Sequence, residues 1–146
     1  MTSGVITTLG LMIGLDAGTG SKLVLLSGIL VIAFADAMSD ALGIHVSEES
    51  EGNNSRMNVW LSTIATFVTK LVIALSFAIP IIILPQNLSI IVAVIWGGVL
   101  LTILSYKIAQ RENIKASSVI TEHVSIATIV IIASYYIGTF ANKIIK

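Results

Sequence analysis

The sequence predicts an all-α integral membrane protein, a bundle of five transmembrane helices that pairs as a homodimer. Composition comes first. Of 146 residues, 55% are apolar and 11% charged, against roughly 25% charged in an average globular chain. Eight basic and eight acidic side chains are too few to cover a soluble domain of this size. The mean hydropathy of +0.99 says the same. Finally, five apolar stretches approach the ~20 residues that cross a ~30 Å hydrocarbon core. They form a single transmembrane domain over residues 1–146, with no soluble domain, linker or long internal repeat.

The first helix is expected over about 3–20. Its apolar run ends at Leu15, and Asp16, Gly18, Gly20 and Ser21 close it as a turn. Gly10, Gly14 and Gly18 fall at four-residue spacing, which permits close helix approach in lipid. The second helix is expected over about 22–46. It is apolar from Leu23 to Ala35, then acidic at Asp36 and Asp40. Ser47 to Glu51 carries it past the membrane surface, and Gly52, Asn53 and Asn54 break it. The third, about 58–84, holds Lys70 within it and Pro80 near its far end, where a kink is expected. Pro85, Gln86 and Asn87 form a tight turn. The fourth, about 88–108, has Gly97 and Gly98 at its middle. A polar connection, Lys107 to Ser118, leads to the fifth, about 118–141.

Several function classes are excluded or unsupported. The formal net charge is zero, so nucleic-acid binding has no electrostatic support. There is no cysteine, hence no thiolate metal site and no Cys nucleophile. No phosphate loop, nucleophile triad or HExxH pattern occurs, so an enzyme is not expected. No cationic segment precedes the first apolar run, which is not expected to be a cleaved signal peptide. The Lys/Arg bias of the loops sets Arg56, Lys107, Arg111 and Lys115 against Lys22, Lys143 and Lys146, and predicts a cytoplasmic N-terminus.

The chemistry lies in the charged groups inside the membrane. Each costs at least ~2.5 kcal/mol on insertion scales and persists where it pairs or works. Asp36 and Asp40 are four apart and share one helix face. Two carboxylates there can bind a hard divalent cation or relay protons. The second and third helices are antiparallel. With His45 and Asn58 level at the surface, Asp36 lies nine residues deep and Lys70 twelve. At ~1.5 Å per residue the mismatch is only ~4–5 Å, so an Asp36–Lys70 ion pair is within reach. That pair would leave Asp40 free. His45 stands at i, i+3 and i, i+4 spacing to Glu48 and Glu49, a spacing that suits metal ligands on a helix. Glu51 extends the same acidic end. Glu122 at the start of the last helix suits the positive end of its macrodipole. Thr7 and Thr8 are expected to bond back to their own helix.

Ser3-Gly4-Val5-Ile6-Thr7-Thr8-Leu9-Gly10 resembles the Asp-Gly-x-x-Thr-Thr-x-Gly opening of the vacuolar iron transporter family. Ala33 to Gly43 followed by Ser50-Glu51 is similar to that family's small-residue second helix. The similarity covers about residues 3 to 51, and five helices is the family's number. The resemblance implies a dimer that moves ferrous or manganous ions out of the cytosol against protons. In the family an Asp of helix one, and a Glu and a Met of helix two, line the ion path. Here those positions fall at Ser3, Ile32 and Asp40. Asp36, one turn beyond Ile32, stands in for the lost carboxylate. The family's cytoplasmic metal-binding insert between helices two and three is missing. An Asp in place of a Met exchanges a soft ligand for a hard one, which favours manganese, magnesium, calcium or protons over iron.

The expected function is therefore proton-coupled transport of a divalent cation, Fe2+ or Mn2+, which is substrate and not a resident cofactor. Asp36, Asp40, His45, Glu48, Glu49 and Glu51 are the candidate metal-site residues. Asp36 and Lys70 are the candidate ion-pair or coupling residues. One chain of five helices is small for a pathway, which favours a pore at a two-fold axis. The other reading is a non-transporting membrane scaffold or assembly subunit, in which Asp36, Asp40 and Lys70 hold helices together.

Overall fold

The computed structural model describes residues 1–52 and 55–145. Asn53 and Asn54, expected to break the second helix, and Lys146, counted for orientation, lie outside the described residues. Six helices follow one another: α1 (Thr2–Thr19), α2 (Lys22–Glu51), α3 (Arg56–Ser76), α4 (Ala78–Ile83), α5 (Gln86–Glu112) and α6 (Ala116–Ile145). No strand occurs among the described residues. Four stretches are long and apolar enough to cross a membrane: α2, α3 with α4, α5 and α6. The chain is thus a multi-pass membrane protein by length and composition. The expected fifth span, α1, does not reach that standard. It is 18 residues long, about 27 Å at ~1.5 Å per residue, and it carries glycines and threonines where the others carry Ile and Leu.

The position of α1 explains that composition. It sits in the middle of the bundle and touches α2, α3, α5 and α6. Val5, Leu9 and Met12 are almost fully buried. A helix that meets protein on most sides needs no lipid-facing stripe. The other helices show the opposite pattern. Their buried faces include small residues, such as Ala33, Ala37 and Ala41 of α2, beside a few large ones, Leu25, Ile29, Ile81 and Leu101. Most other large side chains, such as Leu23, Phe34, Ile132 and Ile137, face outward. Close approach inside and apolar bulk outside is what a bilayer solvent selects.

Successive long helices alternate in direction. In α1 and α2, Leu15 meets Gly28 and Ser3 meets Asp40, so the two are antiparallel. Phe34–Phe67 and His45–Thr63 set α2 antiparallel to α3. The first and last helices run parallel, because Gly10 lies at Val130, Gly14 at Ser134 and Gly18 at Gly138. A Cβ on Gly10 would come within 2.7 Å of Val130 Cγ1, and one on Gly138 would strike the Gly14 carbonyl. The four-residue glycine spacing is thus a close-packed seam against α6.

Element ends depart from the sequence expectations in several places; Gln86 and Asn87, expected in a tight turn, already belong to α5, and α6 runs from Ala116 to Ile145. Asp16 and Gly18 are helical, because Gly20 takes the left-handed conformation (φ 57°) and its N–H caps the Asp16 carbonyl. The polar stretch from Lys107 continues α5 to Glu112, since Lys, Gln, Arg and Glu favour helix outside lipid. Asn113 then ends it at φ 54°, which shortens the connection to three residues. The third helix breaks into α3 and α4 at Phe77. Pro80 has no N–H for the Ser76 carbonyl and its ring crowds that turn. At the break the Phe77 N–H bonds to the Ala74 carbonyl, at 3.2 Å, and not to that of Ile73 four residues back.

The seam gives a test. Gly138→Ala is expected to lower stability by about 1–3 kcal/mol, read as a lower unfolding midpoint in detergent. Gly98→Ala, where a Cβ meets nothing within 4 Å, is expected to leave the midpoint unchanged or raise it.

Candidate ion site between α1, α2 and α3

Lys70 is the most deeply buried charge of the described chain, with 2% of its side chain exposed. Its Nζ lies 2.7 Å from Asp36 Oδ2 and also pairs with Asp40 Oδ2. The i, i+4 spacing on α2 makes this possible, because both carboxylates project from one face toward α3. Lys70 therefore bridges two carboxylates, and Asp40 is not left free. The physical reason is reach. A Lys stem spans both carboxylates, and one ammonium has three N–H donors.

The third wall is α1. Ser3 Oγ donates to Asp40 Oδ2 at 3.3 Å and accepts from Lys70 Nζ at 3.3 Å. Gly4 supplies the space. A Cβ there would lie 2.9 Å from Lys70 Cε and 3.2 Å from Asp36 Oδ2. In the sequence the Ser3-Gly4 pair stands out only through the resemblance. Its contact with residues 37 and 67 positions away leaves no local periodic signal. The one sequence hint is that Ser3 falls where the resembled motif carries an Asp.

The site is open on one side. The Asp36 side chain is 22% exposed and that of Asp40 40%. Thr7 and Thr8 do not point hydroxyls into it. They bond back to the carbonyls of Ser3 and Gly4, at 2.8 and 2.7 Å.

The remaining acidic candidates do not join this cluster. His45 Nδ1 lies 2.9 Å from Thr63 Oγ1, and its ring packs edge-on against Trp60. Glu49 and Glu51 are exposed on the overhang of α2 and Glu48 is partly buried. Among the described residues, no group of three or more His, Asp or Glu stands close enough to hold a metal ion. The six candidate residues thus lie in two separate places on α2, with Asp36 and Asp40 at Lys70 and with His45, Glu48, Glu49 and Glu51 further toward its C-terminal end. Beyond the acidic set, His123 of α6 pairs with the buried Ser105 of α5 at 2.9 Å. At the other end of the bundle, Gln86 donates to Asp16 at 2.6 Å. Lys22 there donates to the carbonyls of Ile82 and Leu84, where α4 ends.

Chemically, the cluster is a cation held by two hard oxygen ligands inside a helical bundle. Removing one partner from a buried pair typically costs about 3–5 kcal/mol. Lys70→Met is expected to lower the unfolding midpoint sharply, because two carboxylates then face each other without a counter-charge. The triple variant Lys70→Met, Asp36→Asn, Asp40→Asn is expected to recover most of that loss. Thermal unfolding of the three proteins in one detergent checks this.

Comparison with protein-family models, with curated proteins and with solved structures gives no match to this chain.

Proposed function

We propose that the chain is a multi-pass membrane transporter of divalent metal cations, coupled to protons, with Asp36 and Asp40 as the ion site. The observation that carries the reading is the Lys70 ammonium between those two carboxylates. It occupies the position a cation would take. With Lys70 turned aside, two carboxylates present a charge of −2 on hard oxygen atoms. That set suits a manganous, ferrous, magnesium or calcium ion. Charged groups within membrane spans face pathways or partners because lipid cannot solvate them. The resemblance of residues 3 to 51 to the vacuolar iron transporter family supports the same reading.

Two finer proposals follow. The exposed flank of Asp40 needs cover that lipid does not provide, which supports a homodimer with the site near its axis. The alternating helices gather Arg56, Lys107, Arg111 and Lys115 at one end of the bundle, with the N-terminus. That grouping supports a cytoplasmic N-terminus.

A specific observation also favours the scaffold reading. No buried side-chain N or O among the described residues lacks a hydrogen-bond partner, so the charges satisfy one another as interhelical glue does. The two readings separate in reconstituted vesicles. The protein is placed in proteoliposomes with an internal indicator and a proton gradient. Mn2+, Fe2+, Mg2+ and Ca2+ are offered in turn. The transporter reading expects saturable, gradient-dependent uptake of at least one ion, abolished in a folded Asp40→Asn variant. No uptake of any of the four, together with retained stability in the charge-swapped Asp36→Lys, Lys70→Asp protein, would establish the scaffold.

A further inference from the structure

The hairpin end of α2 and α3 holds a second polar site. His45, Glu49, Arg56, Val59 and Trp60 line a cavity of ≈ 440 Å³. Thr63 sets the chemistry of its histidine. The Thr63 hydroxyl donates its one hydrogen to the Val59 carbonyl at 2.7 Å. Its oxygen is left to accept from His45 Nδ1 at 2.9 Å. The neutral ring then carries its hydrogen on Nδ1 and a bare lone pair on Nε2. Trp60, with its ring centroid 4.7 Å away, packs the imidazole in place.

Glu49 lies one turn beyond His45 on the same helix face. The α2 wall of the cavity therefore offers two hydrogen-bond acceptors, His45 Nε2 and the Glu49 carboxylate. The α3 wall offers the Arg56 guanidinium, which only donates. Glu49 and Arg56 line one cavity without pairing. Among the described residues the ion pairs are both made by Lys70. The cavity thus presents separated acceptor and donor walls.

Its level in the membrane narrows the ligand. Counted from Lys22, ~20 residues of hydrocarbon span end near Leu42. His45 and Glu49 lie just beyond, at headgroup level. Trp60 is half exposed where interfacial belts place tryptophan. We propose that this cavity binds the headgroup of a phospholipid bearing a primary ammonium, of the phosphoethanolamine type. The ammonium donates to His45 Nε2 and Glu49, and the phosphate accepts from Arg56. A choline headgroup has no N–H to donate, and a glycerol headgroup has no cation. A metal ion would meet the positive charge of Arg56 and only two protein ligands. The proposal requires that the chain sit in a bilayer. It stands whether or not Asp36 and Asp40 move ions.

The test uses the full chain purified in detergent. Short-chain phosphatidylethanolamine, phosphatidylcholine and phosphatidylglycerol are titrated separately while thermal unfolding is followed. The ethanolamine lipid is expected to stabilise at about tenfold lower concentration than the other two. Glu49→Gln and Thr63→Val are each expected to erase that preference while leaving the response to the other two lipids in place. Arg56→Gln is expected to weaken all three. Equal responses to the three lipids in the unmodified protein would overturn the proposal. So would an ethanolamine preference that survives Glu49→Gln, or a larger stabilisation by Mn2+ than by the ethanolamine lipid.

Discussion

A lysine ammonium removed from water must be partnered, and the arrangement of α1, α2 and α3 at the N-terminal end of the bundle follows from that requirement. Lys70 of α3 finds two carboxylates one helical turn apart on α2. For both to be reached at once, α2 and α3 must hold one register. For Ser3 to complete the set, α1 must enter with Gly4 against the lysine stem. Isolated charges in a bilayer are costly, and a lysine paired with two carboxylates is far less so, although the three together still carry one negative charge. The cluster therefore fixes register among three helices whose remaining contacts are almost wholly apolar and unspecific.

Small residues supply the other constraint. Lipid is as apolar as leucine, so helices gain little from burying bulk and more from close contact. The seam of Gly10, Gly14 and Gly18 against Val130, Ser134 and Gly138 brings the helices together along the second half of α1. Gly97 does the same for α5, where a Cβ would meet Leu9. The bundle thus combines one charged clamp with glycine seams around a small core of Leu9, Leu25, Ile29, Phe77, Ile81 and Leu101, and most other bulky side chains face outward.

Much of the architecture was legible because hydropathy and Pro/Gly punctuation are local signals. The long apolar runs became α2, α3 with α4, α5 and α6, and Pro80 marked the break after Ser76. The depth argument that levelled His45 with Asn58 anticipated the approach of Lys70 to Asp36. Other features were not legible. Apolar length misjudged α1, because a helix wrapped by protein need not look like a lipid-facing span. The polar run after Tyr106 has the composition of a connection, although nothing in those residues opposes helix until Asn113. That Lys70 would take both carboxylates, and that Ser3 and Gly4 would complete their surroundings, depended on three-helix geometry that no spacing rule encodes. The separation of His45 and Glu49 from Asp36 follows from their places on α2, nine and thirteen residues further along one helix.

The parallel seam between α1 and α6 bears on how the protein is made. The residues that α1 needs against its glycines emerge about 120 positions later in the chain, from Gly10 to Val130 and from Gly18 to Gly138. Contacts of such long sequence separation form late. During synthesis, the first helix leaves the ribosome without its closest neighbour, and it is the helix least suited to lipid. Two nearer contacts are available to it meanwhile, Asp40 and then Lys70. The partners of the charged clamp thus precede α5 and α6 in the chain, while the glycine seam needs the last helix.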